Sequence, residues 1–183
     1  MTGDTFRTER LELVWLSPEL LQELLAGRRE EAERIGGFAI PDDWPDEHDG
    51  RFLTLRLRQT HEDPSRGPWY VRAIVLPEQR RMIGHIGFHG PPGVNALRDP
   101  EAVEIGYTVF PEHRRCGYAG EAVVALLEQA RAQGVRRFVA SVAPENEPSL
   151  AIVRRLGFTE VGRHWDDEDG EELEFELVSA AGP

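Results

Sequence analysis

The segment from Ala102 to Val142 constrains the fold more than any other part of this 183-residue chain. Ala102 to Phe110 is rich in β-branched and aromatic residues and is expected as a strand. The small-residue stretch Arg114-Arg-Cys-Gly-Tyr-Ala-Gly120 leads from it into Tyr118 to Gln133. There Val123, Leu126, Leu127 and Ala130 recur at i, i+3, i+4 and i+7 on one helical face, and Gly134 supplies a C-cap. Val135 to Val142 has the length of a short buried strand. Strand, helix, strand in that order demands a right-handed crossover between parallel strands, here those ending at Phe110 and Val142.

The flanking segments supply further elements. Arg10 to Leu16 alternates enough for a strand. Ser17-Pro18 is an N-cap followed by a first-turn proline, opening a helix through about Leu25 with Leu20, Leu21, Leu24 and Leu25 on one face. Glu30 to Ile35 is a second helix. Phe52 to Gln59 fits either state, because Leu53, Leu55 and Leu57 suit a strand as well as a helix. Trp69 to Leu76 and Arg81 to Phe88, separated by a turn at 77–80, form a meander with the strand at 102–110. Pro148 to Arg155 is a short helix ended by Gly157, and Phe158 to Val178 a hairpin reversing at Asp169-Gly170. The Pro/Gly/Asp-rich stretches Ile40 to Gly50 and Gly90 to Pro100 are expected as surface loops, and neither marks a domain boundary. A chain of this length buries one sizeable core and is short for two ordinary domains, so a single domain over residues 1–183 is expected.

Composition removes several function classes. All 21 basic residues are arginine, which excludes a lysine Schiff base and a Walker A phosphate lysine. The lone Cys116 forbids an intrachain disulfide and a multi-cysteine zinc site, and no metal is expected. His85 and His89 share a strand face but stand about 13 Å apart at ~3.3 Å per residue, too far to hold one ion together. Both remain readable as groove-lining residues or as a secondary base, His85 in particular. The opening residues contain neither an apolar signal core nor a membrane-length apolar run, so a cytoplasmic protein without a membrane anchor is expected.

The net charge of −12 disfavours nucleic-acid backbones as partners, but it is unevenly spread. Ile40 to Gly50 holds five acids and no Lys or Arg, and Thr159 to Val178 holds nine acids against Arg163. Arg114 to Arg155 is locally basic, with seven arginines against four acids. An anionic ligand is acceptable there. Phe110-Pro-Glu-His-Arg-Arg-Cys-Gly-Tyr-Ala-Gly120 provides the means. A small-residue loop opening a helix leaves backbone N–H groups unpaired, and the helix dipole adds about half a positive charge. Arg114, Gly117 and Ala119 fit R-x-x-G-x-[GA], a cradle for a pyrophosphate in which Gly117 admits close approach of the backbone. The same loop is also compatible with an ordinary strand-to-helix turn.

Val103-Glu-Ile-Gly-Tyr-Thr-Val-Phe-Pro111, Arg114-Arg-Cys-Gly-Tyr-Ala-Gly-Glu-Ala122, Pro144-Glu-Asn-Glu-Pro-Ser149 and Arg155-Leu-Gly-Phe158 resemble, in order and spacing, the GNAT N-acyltransferase superfamily. With the Thr8-Glu-Arg-Leu-Glu-Leu13 opening, the likeness is greatest to the branch containing ribosomal-protein-alanine acetyltransferases. Residues 26–68 carry no part of it. The resemblance implies an α+β (α/β) fold: one GNAT domain with a mixed, centrally splayed sheet flanked by helices on both faces, and an acetyl-CoA-binding core at about 102–158. It implies transfer of an acetyl group from acetyl-CoA to a primary amine by direct transfer in a ternary complex. The acceptor is then a small-molecule amine or a protein N-terminus, and a homodimer is left open.

The resemblance further implies cofactor contacts from the backbone of Thr108, Val109 and Phe110 to the pantetheine, and from Arg114, Arg115, Cys116, Gly117, Tyr118, Ala119 and Gly120 to the pyrophosphate. Asn146 would bond the cofactor arm, and it is equally readable as the cap of the helix that follows. Glu104 is the general-base candidate, with an ordinary solvent-facing residue on an alternating strand as the other reading. Where many members carry a tyrosine acid this chain has Val153, and Ser149 is the replacement the ribosomal-protein branch suggests, although a serine in a first turn is commonly structural. Cys116 beside two arginines is a weak nucleophile candidate, since the family transfers directly. Trp44 and Trp69 are read as acceptor-pocket walls or as core. Val153 also keeps open a non-catalytic CoA-binding module.

Overall fold

In the computed structural model, residues 5–166 and 170–179 are described. The strands are β1 (Phe6–Arg7), β2 (Glu12–Trp15), β3 (Arg72–Leu76), β4 (Arg81–Phe88), β5 (Ala102–Val109), β6 (Arg137–Val142), β7 (Thr159–Asp166) and β8 (Gly170–Val178). The helices are α1 (Pro18–Leu25), α2 (Arg29–Gly36), α3 (Glu47–Glu62), α4 (Tyr118–Ala132) and α5 (Glu147–Arg155). The strand order is β1-β2-β3-β4-β5-β6-β8-β7. It is a mixed α/β fold in which β5 and β6 run parallel, as the strand-helix-strand segment requires. Two units make up the chain, one of residues through Gly87 with Tyr107–Ala125 and one of Phe88–Gly106 with the residues from Leu126 on.

In the first unit β1 to β4 form an antiparallel run, with Leu13 opposite Ile74 and Ala73 opposite His85. The Phe110 amide donates to the Ile83 carbonyl at 2.9 Å, which fixes the end of β5 against β4. Ser17 caps α1 by accepting from the Leu20 amide, and Pro18 occupies the first turn. Leu20, Leu21 and Leu24 are thereby buried with Ile40, Trp44, Leu53, Ala73, Val75 and Met82, each large side chain contributing roughly 1.5–3 kcal/mol.

The open segment Phe52 to Gln59 is helical, as part of α3. Its start lies outside that window, where the Asp46 carboxylate accepts from the Asp49 amide at 2.8 Å. Leu53, Arg56 and Thr60 then turn inward at helical spacing while Leu55 is exposed. Two expectations need correction. Ile40 to Gly50 is only partly surface, because Ile40 and Trp44 are buried and the acids around them begin a helix. The strand expected from Trp69 starts at Arg72. Pro64–Trp69 is a 3-10 turn, nucleated by the Asp63 side chain accepting from the Ser65 amide, and Pro68 within it has no N–H to donate to a ladder.

In the second unit β6 lies antiparallel to β8 and β8 to β7, the hairpin pairing out to Asp166 opposite Gly170. The expected turn residue Asp169 lies outside the described residues. Val103, Glu104 and Ile105 are buried in succession, as are Phe138, Val139 and Ala140, so these strands are covered on both faces. The parallel register pairs Ala102 with Arg137, Val103 with Phe138 and Glu104 with Val139. The loop before β5 is organised by Asn95, whose side chain donates to the Asp99 and Ala102 carbonyls and accepts from the Asp99 amide. No helix among the described residues is long and apolar enough to cross a membrane.

Candidate active site

The loop between β5 and α4 lies in the first unit and is shaped by two left-handed residues. Arg115 has φ 62° and Gly117 φ 83°. A non-glycine residue held there is strained and turns successive N–H groups into one concavity, an anion nest. Helical bonding resumes with the Glu121 amide donating to the Gly117 carbonyl at 3.2 Å. Helix geometry therefore leaves Tyr118, Ala119 and Gly120 at the open N-terminus of α4 with no preceding carbonyl to meet. Arg114, Arg115, Cys116 and Gly117 are exposed.

The loop is braced by a residue that the motif does not contain. Arg10 donates from Nε and from its amide to the Glu121 carboxylate at 2.7 and 2.9 Å, and from Nη1 to the Cys116 carbonyl at 3.0 Å. Its guanidinium also lies over the Tyr118 ring. Partial burial pushes the Glu121 carboxyl up, but the bonds from Thr8 and Arg10 outweigh it and hold the group below the ordinary carboxylate range. Arg10 is thus neutralised by Glu121 and shapes the loop rather than facing an anion alone. Thr8, Arg10 and Glu121 were all present in the quoted motifs, but no spacing rule says that the first closes on the last.

Arg114 has a similar part, donating from Nε to the Val109 carbonyl at 2.9 Å. With the Phe110 amide committed to Ile83, the strand's alternation turns the Val109 N–H toward the opposite edge. Of Thr108, Val109 and Phe110, Val109 therefore offers the open amide, and the Phe110 amide is not available to a ligand. Cys116 is exposed, its Sγ 3.4 Å from the Arg114 carbonyl.

In the second unit Glu104 is enclosed. The solvent-facing reading of this residue is overturned, because β5 is covered on both faces and the Glu104 side chain is 4% exposed. Its Oε1 accepts from the Ser141 hydroxyl at 2.7 Å, its Oε2 accepts from the Ala96 amide at 2.7 Å, and His89 Nδ1 stands 3.5 Å from Oε2. Burial pushes its pKa up, but His89, Ser141 and the Ala96 amide together hold it below the ordinary carboxylate value. Ser141 and Ala96 carried no sequence signal for this role. Asn146 is confirmed as a cap, its Oδ1 accepting from the Ser149 amide at 3.3 Å, which leaves its NH₂ as a donor. Ser149 is half-buried in the first turn of α5, and Val153 is buried in the core.

His85 and His89 each face a different carboxylate. In the first unit His85 Nε2 is 3.3 Å from Asp49 Oδ1, with the rings of Trp44 and Phe52 at 5.7 and 6.2 Å. Trp44 belongs to the core and Trp69 is half-buried. No group of three or more metal-ligating side chains occurs among the described residues.

The family model for the acetyltransferase (GNAT) domain matches residues 10–159. The chain belongs to the GNAT acetyltransferase family. The uncharacterised N-acetyltransferase YnaD of Bacillus subtilis is 31% identical over 90 residues, 49% of this chain and 49% of its own length, so the match spans about half of that relative. A GNAT-family acetyltransferase structure from Bordetella pertussis superposes with a TM-score of 0.66 at 25% identity, covering 96% of this chain and 99% of that one. The fold is shared as well with a RimL ribosomal L7/L12 alpha-N-protein acetyltransferase in complex with coenzyme A, at a TM-score of 0.64 and 20% identity over 98% of this chain and 100% of that one. A ribosomal-protein acetyltransferase is thus among the chains that share its fold.

Proposed function

We propose that the protein moves an acetyl group from acetyl-CoA to a primary amine by direct attack in a ternary complex. The observation that carries this reading is the braced nest at the α4 N-terminus, where Arg115 and Gly117 are both left-handed and Arg10 is locked to Glu121. In a GNAT chain such a loop holds the pyrophosphate, from the Arg115 to Gly120 amides, with the Val109 N–H for the pantetheine and the Asn146 NH₂ for the cofactor arm. The acceptor ammonium must lose a proton before its nitrogen attacks the thioester carbonyl. The carbon–sulfur bond then breaks, and the thiolate must be protonated or stabilised. The Glu104 site handles the first proton, and the Ser149 hydroxyl is the group proposed at the thiolate.

Acetyl-CoA is the cosubstrate, and the acceptor is a small-molecule amine or a protein N-terminus in the cytoplasm. The second reading, a CoA-binding module without catalysis, is favoured only by Val153, which puts a buried methyl pair where many relatives have a hydroxyl. A thiol-release screen over amines, aminoglycosides and N-terminal peptides separates them. Release with at least one class supports transfer, and binding of acetyl-CoA without release supports the module.

A further inference from the structure

We infer that Asn95 is a positioning residue for Glu104: its side chain folds the loop before β5 into the shape that lays the Ala96 amide on the carboxylate. This rests on the transferase reading above, in which Glu104 must be ionised to handle the acceptor's proton. All of the groups involved belong to the second unit.

The loop turns at Asn95 to Arg98. There the Arg98 amide donates to the Asn95 carbonyl at 3.1 Å, and Arg98 itself is left-handed with φ 54°. In a turn closed by that bond the N–H of the second residue has no acceptor within the turn. Here it belongs to Ala96, and it donates to Glu104 Oε2 at 2.7 Å. The Asn95 side chain is what aims it, because both ends of its amide are spent on the far limb of the loop. Nδ2 donates to the Asp99 and Ala102 carbonyls at 2.7 and 3.0 Å, and Oδ1 accepts from the Asp99 amide at 3.0 Å. Ala102 lies two residues before Glu104 on β5, so the turn is pinned to the strand that carries the carboxylate. The Asp99 carboxylate ties the same limb to Arg137 of β6 at 3.0 Å.

Among the described residues three groups face the Glu104 carboxylate: the Ala96 amide, the Ser141 hydroxyl of β6 and His89 Nδ1. The nearby charges of Asp99 and Arg137 are paired with one another. A hydroxyl rotates and an imidazole changes charge with pH, whereas a backbone N–H in a pinned turn does neither. The amide is thus the donor whose strength is independent of pH, and it favours the ionised carboxyl against the burial that opposes it.

The test uses the full chain as wild type, Asn95→Ala, Ala96→Pro and Asp99→Asn. The Glu104 carboxyl is followed by ¹³C NMR and the Ala96 amide by ¹H–¹⁵N NMR through an acid titration, and kcat/KM for a reactive amine is measured across pH. In the wild type the Ala96 amide should titrate with the midpoint of the Glu104 carboxyl. In Asn95→Ala the amide should lose that response and the carboxyl midpoint should rise, because a donor to the charged form is gone while burial remains. Ala96→Pro deletes the N–H at a turn position that favours proline, and should raise the midpoint at least as far. In both variants the acid limb of kcat/KM should move to higher pH, with the alkaline plateau falling by less than about 10-fold, short of the roughly 10²-fold of a lost general base. Asp99→Asn breaks the ion pair with Arg137 but keeps the backbone groups that Asn95 holds, so it should lower the urea midpoint and leave the Glu104 titration in place. An unmoved carboxyl midpoint in Asn95→Ala or Ala96→Pro, or an equal rise in Asp99→Asn, overturns the inference and leaves the transferase reading intact. A wild type that binds acetyl-CoA and releases no thiol with any amine overturns the transferase reading, whatever the titration shows.

Discussion

Two carboxylate–imidazole pairs, one from each unit, are built in opposite ways. In Glu104–His89 the carboxylate is sealed in by three donors and the imidazole is open. In Asp49–His85 the side chains are 20% and 13% exposed, and it is the imidazole that is enclosed, between the Trp44 and Phe52 rings. The chemistry available to the two pairs is the same, and the difference lies in which partner a third molecule can reach. An open imidazole on a fixed carboxylate can exchange a proton. An imidazole packed between rings ties α3 to β4 and serves the fold.

The largest contrast is expected from truncation. Glu104→Ala leaves the Ala96 amide of the preceding loop and the Ser141 hydroxyl of β6 without their acceptor beside a covered strand, at a cost of about 3 kcal/mol, since each such polar group left unmatched costs roughly 1–3 kcal/mol. Asp49→Ala removes a carboxylate that is 20% rather than 4% exposed and leaves a single group, His85 Nε2, without it, for about 1 kcal/mol. Urea unfolding at pH 7 measures both, and equal losses would erase the distinction between the pairs.

The second contrast concerns turnover. His85→Ala should cost about 2 kcal/mol of stability through lost ring packing yet keep kcat/KM for an amine within about threefold, a change too small for a lost catalytic group. A collapse of turnover by roughly 10²-fold would make Asp49–His85 the working pair instead.

Acid titration sharpens the comparison further. Asp49 and Glu104 are both held below their ordinary values, each by its histidine against an opposing burial effect. A carboxyl with a depressed folded pKa contributes stability that is present above its unfolded pKa, near 4, and is lost as pH falls through the lower folded value. Glu104→Gln should therefore flatten the loss of stability below about pH 4, and Asp49→Asn should flatten it less, because that group is nearer water. Urea midpoints followed downward from pH 5 read this directly; an unchanged slope in Glu104→Gln contradicts the cause assigned here.

The smallest effect is expected from the acidic hairpin. His164 stands 3.4 and 3.2 Å from Glu172 and Glu174, and Arg163 pairs with Glu171 at 3.1 Å, so part of that charge is met locally. With a Debye length of ~10 Å at 0.1 M salt, raising ionic strength should increase the KM of a tricationic amine by no more than about threefold relative to a monoamine. A much larger salt effect would identify the hairpin as an acceptor-steering surface.

The parts of the fold that follow local rules could be read from the chain. Ser17-Pro18 locates the start of α1, and the apolar spacing in 118–132 identifies α4. The Phe52 to Gln59 segment resisted because three leucines at alternate positions satisfy both periods, and the deciding cap, Asp46, stands upstream of the ambiguous window. Trp69 reads as the start of a strand on aromatic propensity, and the turn over 64–69, capped by Asp63, is what takes it out of β3. The loop proposed to hold the pyrophosphate was visible as a motif, whereas the Arg10 brace and the donors around Glu104 arise from residues far apart in sequence. Alternation misled at Glu104, since a strand covered on both faces hides its polar residue as well as its apolar ones.

The central claim is that the α4 N-terminus holds acetyl-CoA, and thermal unfolding with and without that ligand tests it most directly. At ~100 times its dissociation constant acetyl-CoA should stabilise the wild type by about 2.7 kcal/mol. Gly117→Asp, which places a like charge in the nest but keeps a residue type tolerant of the left-handed conformation, should remove that gain while its ligand-free melting stays cooperative. An acetyl-CoA shift in Gly117→Asp equal to that of the wild type would contradict the account.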